Sequence, residues 1–486
     1  MNLDNNVIKV FEKIENMCGN SPDITKRIFK YKNINIGYIY FDSTSSGEKI
    51  TDSLLKSLTI NLKYKNIYKE IISNLNTIIP GSNYKYTSNY KDLVYFLSSG
   101  FVAIIVDGYD EAIVIEVRNN LNRSITESST ETIIRGPKDS FTENYNTNIG
   151  LIRKRIKDEN LWIKEVKVGR RSKSKVGIIY INDIADNEKV NKIYEKIKSI
   201  DIDAILDSGY IRDFLTKDSK SFFPLVISTE RPDVVSGAIL EGKIAIMVEN
   251  SPFVLILPAL LIDFIHAPED YYDKPVNVTF SRLLRFLAFI LTIVTPAIYI
   301  AITTFNIEIV PDTLLISIAV QREGVPFPTT LEILLLVTTF ELLKESDVRT
   351  PSVIGTSISI VGALVLGEAA VNAGVVSSIA VIITAITSIS SLLFSDIDII
   401  NSYRWWRLIF ILFASFLGLP GFIIAFLIFI IKLSSLSSLD IPYLTPISPL
   451  NKNDVKDTFV AKSRAKMFRR PSFLTKNKRR LKWKRY

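Results

Sequence analysis

Residues 283–305 run for 23 positions with Arg285 as their only charge, and this stretch constrains the fold more than any other part of the chain. As a helix it measures about 34 Å, enough to cross the hydrocarbon core of a bilayer. Residues 353–371, 375–394 and 408–431 are comparably apolar, so four spans are expected. The last of them holds Gly418-Leu419-Pro420-Gly421 at its middle, which should break or kink the helix where neighbours can satisfy the freed carbonyls. Two shorter pieces read as interfacial or re-entrant: residues 253–265, too short for an ordinary crossing, and residues 331–343, which carry Glu332 and Glu341. Four spans, or six with both short pieces, put the two termini on the same side.

Hydrophobic residues make up 47% of the chain and mean hydropathy is +0.22, yet charged residues still reach 22%. The apolar excess is therefore concentrated in one region. Residues 451–486 hold fourteen Lys or Arg against two Asp, more positive charge than the net +9 of the whole chain. Because this tail follows an apolar segment, it reads as a cytoplasmic retention signal that contacts anionic headgroups, and not as a nucleic-acid site. The N-terminus lacks a charged n-region followed by an apolar run, so residues 1–250 are expected in the cytoplasm. With Cys18 and His266 as its only cysteine and histidine, the chain lacks the parts for an internal disulfide, a Cys/His zinc site or a serine–histidine triad. Phosphate-binding glycine loops are also missing. No metal, no cofactor and no enzymatic activity are expected.

The first half contains an internal echo. Residues 34–41 resemble residues 174–181, with Gly37 matching Gly177; residues 100–106 resemble 242–248, with Gly100 matching Gly242; and Asp92 matches Asp233. Offsets of 140, 142 and 141 suggest two copies of one α/β (or α+β) unit. Asp107-Gly108 is a turn signal between apolar runs 102–106 and 112–117. Between the copies, Ser140 or Thr142 is a candidate cap for a cationic helix carrying Arg153, Lys154, Arg155 and Lys157. The expected organisation is a subdomain over 1–130, a second over 131–250, a helical multi-span membrane domain over 251–450 and a basic tail over 451–486.

Several short motifs then point to a family. They are Arg135-Gly136-Pro137 with Phe141-Thr142-Glu143, Thr229-Glu230-Arg231-Pro232-Asp233, Gly324-Val325-Pro326-Phe327-Pro328 and Phe340-Glu341-Leu342-Leu343-Lys344-Glu345. Residues 360–371 and Ile441-Pro442-Tyr443-Leu444-Thr445-Pro446 complete the set. In this order they resemble the A subunit of GerA-type spore germination receptors; Glu368 and residues 392–398 depart from the pattern. The resemblance implies a subunit in the inner membrane of a bacterial endospore, working with a transporter-like B subunit that binds the germinant and a lipoprotein C subunit. It also implies oligomerisation, as a pentamer, into an ion channel that releases monovalent cations. Arg135, Gly136, Pro137, Glu143, Glu230, Arg231, Pro232 and Asp233 are the motif positions offered for contacts between subunits or domains.

A channel needs close helix packing and a wet polar stripe. Gly355, Ser359, Gly362, Gly367, Ala370 and Gly374 form a small-residue face that lets backbones approach, in a pore or in an ordinary bundle core. Ser377, Thr384, Ser388 and Ser391 share a sector of the next helix, as pore lining or as bonds to neighbouring helices. Glu341 and Glu345 are candidates for a cation-attracting ring at a pore mouth, or for charges on an interfacial helix. Glu332 lies nearly opposite Glu341 on a helix. Arg404-Trp405-Trp406-Arg407 reads as an interfacial anchor with guanidiniums near phosphates. A channel subunit and a non-conducting scaffold both fit. A secondary transporter fits less well, for want of an inverted repeat.

Overall fold

The computed structural model describes residues 2–31, 34–50, 84–119, 131, 133, 135–216, 221–349, 362, 365–394, 396–451, 454–463, 466–477 and 479–480. The chain divides into two units, residues 1–219, 226–259 and 464–486 forming an α/β unit and residues 220–225 and 260–463 a helical one.

The α/β unit contains two five-stranded sheets. The first orders its strands β1-β2-β4-β5-β3, from Ile24–Tyr31, Ile34–Phe41, Phe101–Val106, Ala112–Glu116 and Tyr84–Thr87; the second orders β6-β7-β9-β10-β8, from Leu161–Val168, Ser174–Ile181, Ile244–Val248, Val254–Leu257 and Ile227–Thr229. All their ladders are antiparallel. Each sheet is packed by helices: α1 (Val7–Met17) and α2 (Tyr90–Ser98) in the first half, α3 (Tyr145–Arg155), α4 (Asn187–Lys198), α5 (Ser208–Thr216) and α6 (Pro232–Glu241) in the second.

The residues that echo one another in sequence occupy matching positions. A Cβ on Gly37 would strike Val7 and Phe11 of α1 at 2.6 Å, and one on Gly177 would strike the Tyr145 hydroxyl of α3 at 2.3 Å. Both glycines mark where a helix crosses its sheet too closely for a side chain. Gly100 and Gly242 follow α2 and α6 with φ of 84° and 102°, the left-handed turn that ends a helix. Asp92 and Asp233 sit in the first turns of those helices, at the positive end of the dipole. The expected hairpin at Asp107-Gly108 joins β4 to β5.

Three expectations change here. Residues 253–265, read as interfacial or re-entrant, hold β10 and a short helix α7 (Leu261–Ile265). Every residue of β10 is buried between β9 and β8, which produces a continuous apolar run indistinguishable by period from a helix. The cap of α3 is Asn144, whose side chain accepts from Thr147 N at 3.0 Å; Thr142 instead donates to Asn148, and Ser140 to the Glu230 carbonyl. The basic tail also belongs in part to this unit. Leu474 is buried, Thr475 Oγ1 donates to the Ile184 carbonyl, Arg470 donates to the Leu240 carbonyl at 2.8 Å, and Arg480 pairs with Glu241 at 2.7 Å. Leu240 and Glu241 end α6, where exposed carbonyls form the negative pole that draws cations.

The helical unit is built on α8 (Pro275–Thr304), followed by α9 (Asp312–Arg322), α10 (Thr329–Arg349), α11 (Ser378–Ser391) and α12 (Ile397–Ser435). Two of these, α8 and α12, are long and apolar enough to cross a membrane. The expected span 375–394 yields a 14-residue helix, about 21 Å long and short of a full crossing. Residues 353–361, with most of the expected span 353–371, lie outside the described residues, as do Gly355 and Ser359.

Helix α12 turns back on itself. Gly418 has φ 61° and ψ −139°, and Trp406 lies 4.9 Å from Phe429 while Phe410 lies 5.5 Å from Phe422. In a straight helix Trp406 and Phe429 would be about 34 Å apart, so the element is a hairpin with legs 397–417 and 419–435. Its tip abuts the end of α8. A Cβ on Gly418 would meet Phe305 at 2.6 Å, and Leu419 N donates to Asn306 Oδ1 at 3.2 Å. The expected break at Gly418-Leu419-Pro420-Gly421 is thus a full reversal.

Candidate functional site

The helical unit holds charge in its interior. Glu332 of α10 has no exposed surface, and its Oε1 accepts from both Ser377 N (2.5 Å) and Ser377 Oγ (2.6 Å). Ser377 is the N-cap of α11, so this carboxylate closes the positive end of that helix. Arg322 of α9 approaches the other oxygen at 4.0 Å. At the opposite end Lys344 donates to Ser391 Oγ at 2.5 Å, so α10 and α11 run in the same direction.

Glu341 is gripped by cations. Arg407 lies 2.5 Å from Oε1, Arg404 2.6 Å from Oε2 and Lys344 3.9 Å away. Arg404 and Arg407, expected at lipid phosphates, turn onto this carboxylate instead. Glu345, one turn on, is exposed. The hydroxyl sector is buried: Thr384 donates to the Ala380 carbonyl, Ser391 to the Ser388 carbonyl at 2.7 Å, and Ser388 is covered as well. In the small-residue face, a Cβ on Gly362 would meet Leu343 at 2.7 Å, whereas Gly367 faces open space and Gly374 (φ 66°) makes a turn. Ala370 packs against the cluster of Tyr299, Ile333, Leu336 and Val376.

A second polar cluster stands at the start of α8. Asp270 receives Arg282 at 3.0 Å and Arg285 at 2.5 Å, and Arg282 also reaches Asp457 at 3.2 Å. Burial alone would raise the Asp270 carboxyl, but the two guanidiniums outweigh it and hold it below the usual carboxylate range. His266 Nε2 donates to the Thr458 carbonyl at 2.9 Å. Burial, reinforced by Arg282, lowers its pKa to about 4.

In the α/β unit the two family motifs meet across 94 residues. Arg231 is buried and donates to the Pro137 carbonyl (3.0 Å) and to Asp233 (2.8 Å), while Phe141 N donates to the Glu230 carbonyl at 2.8 Å. Pro232 opens α6 behind this knot. Arg135, Gly136 and Glu143 remain exposed. The motif is first of all an internal clamp. Sequence reasoning missed Asp23, Phe222 and Phe223, whose partners lie far along the chain. Among the described residues no group of His, Cys, Asp and Glu could hold a metal.

An α/β unit of two like sheets is thus joined to a helical unit in which two helices are long and apolar enough to cross a membrane, the pattern of a membrane-associated protein. The chain belongs to the Bacillus/Clostridium GerA spore germination protein family, whose description matches residues 12–473. It is 38% identical over 442 residues to spore germination protein KA of Bacillus subtilis, covering 90% of this chain and 81% of that one. Spore germination protein GerLA of Bacillus cereus is 33% identical over 479 residues, covering 98% and 96%. Among solved structures, the N-terminal domain of the A subunit of the Bacillus megaterium spore germinant receptor GerK3 is 34% identical, covers 54% of this chain and 98% of that one, and aligns with a TM-score of 0.43.

Proposed function

We propose that this chain is a multi-pass subunit of a nutrient-responsive germinant receptor in the spore inner membrane, with both termini cytoplasmic, and that it assembles into a ligand-gated cation channel. The partners in this reading are further copies of the chain, as a pentamer, a transporter-like B subunit, a lipoprotein C subunit and anionic lipid headgroups. The chain itself does no catalysis. Family membership supports the receptor role. The observation that carries the membrane arrangement is that the long stretch 260–463 of the helical unit is preceded by the α/β unit and followed by a tail that rejoins it, so the chain would leave and return on one side of a bilayer. The fully buried Glu332 carboxylate, in a unit read as lying in a bilayer, is costly and supports a functional interior.

A second reading, a non-conducting scaffold, is favoured by the cations that neutralise Glu341 and by the hydroxyls of Thr384 and Ser391, which donate to carbonyls of their own helix. Deleting the chain from spores tests the receptor role. Loss of the response to a mixture of amino acids, sugars and nucleosides, restored by the wild-type gene, is the expected result; an unchanged response contradicts it.

A further inference from the structure

Residues 221–225 stand in sequence between α5 and β8, inside the second α/β half, yet they belong to the helical unit. Phe223 is buried, with its ring 6.4 Å from Trp406, 6.0 Å from Phe429 and 6.1 Å from Tyr443. Phe222 stacks on Trp405 at 5.8 Å and 20°. The backbone is held too: the Phe222 carbonyl accepts from Ser402 Oγ at 2.5 Å and the Leu225 carbonyl from Ser438 Oγ at 2.7 Å. This short segment therefore touches the first leg of α12, its second leg and the loop beyond. Only Val226 separates it from β8, a three-residue edge strand paired to β10 alone.

We propose that residues 221–225 are the transmission element of the receptor, carrying a displacement of β8 into the hairpin, with Phe223 as the positioning residue that sets the angle between the two legs. Aromatic packing of this kind has discrete arrangements and does not deform smoothly, so a small shift of the strand is converted into a change of seat under both legs. The segment is covalently continuous with β8 through Val226 alone, which leaves little chain to absorb a displacement of the strand. This inference rests on the receptor reading.

The test uses the full chain in spores with its partner subunits, and the same mixture of amino acids, sugars and nucleosides as probe. Phe223→Ala should lower the rate of response at least about tenfold, within the usual range of coupling energies, with unchanged amounts of the chain in the membrane. Phe223→Leu, which keeps most of the volume, should restore most of it. A Phe223→Ala variant that responds like wild type overturns the proposal, as does one whose loss merely tracks loss of the chain from the membrane. If the wild-type gene itself restores nothing, the receptor reading fails instead.

Discussion

Arg153 and Asp23 are 130 residues apart in sequence and meet at 2.7 Å in the interior of the α/β unit, with Ser21 and Ser43 completing the carboxylate's shell. Arg153 also lies 4.0 Å over the Phe41 ring. The pair pins α3 of the second half to the first half, and Trp162 Nε1 donating to the Met17 carbonyl at 3.0 Å adds to it. Removing one partner leaves the other charged and buried, at a cost of about 3–5 kcal/mol. Thermal unfolding of Arg153→Met should show that loss, and Arg153→Met with Asp23→Leu should recover much of it.

The His266 imidazole predicts an acid-sensitive helical unit. Its folded pKa of about 4 lies below the ordinary 6.5, so the unfolded state binds the proton first. Stability is then complete above about pH 6.5 and falls as pH drops toward 4, by up to about 3 kcal/mol. His266→Gln, which can still donate to the Thr458 carbonyl, should flatten a pH series of unfolding midpoints over that window. Asp270, held below its ordinary range, loses its contribution only at lower pH.

Gly418 should tolerate no side chain. Its positive φ and the 2.6 Å approach of Phe305 both oppose a Cβ. Gly418→Ala should lower the midpoint by an amount corresponding to about 1–3 kcal/mol, whereas Gly367→Ala, which faces open space, should change little.

The proposed membrane arrangement predicts sidedness from the tail's attachment to the α/β unit. In a Cys18→Ser background, Lys173→Cys and Val460→Cys should react with a membrane-impermeant thiol reagent from the same side of the membrane, and Asp312→Cys, beyond α8, from the other. Labelling of Lys173→Cys and Val460→Cys from opposite sides would sink the even-crossing arrangement.

The α/β half was legible where local chemistry decides. Gly37, Gly177, Gly100 and Gly242 are fixed by helix crossings and helix ends, and these leave a pattern in sequence. Residues 253–257 were not, because a strand buried on both faces has no period to read. The helical unit was legible in composition but not in partnership. Gly418 announced a break, but only Phe305, more than a hundred residues away, makes it a reversal. Likewise Arg404 and Arg407 looked like lipid anchors because their true partner, Glu341, lies on another helix.

The most direct test of a conducting role is cation release from spores carrying Glu341→Gln or Ser388→Ala, followed with a potassium electrode after addition of the nutrient mixture. Each variant must retain wild-type amounts of the assembled receptor. The channel account predicts an altered rate or ion selectivity of release in these spores. Release identical to wild type in both variants would contradict it and leave the scaffold.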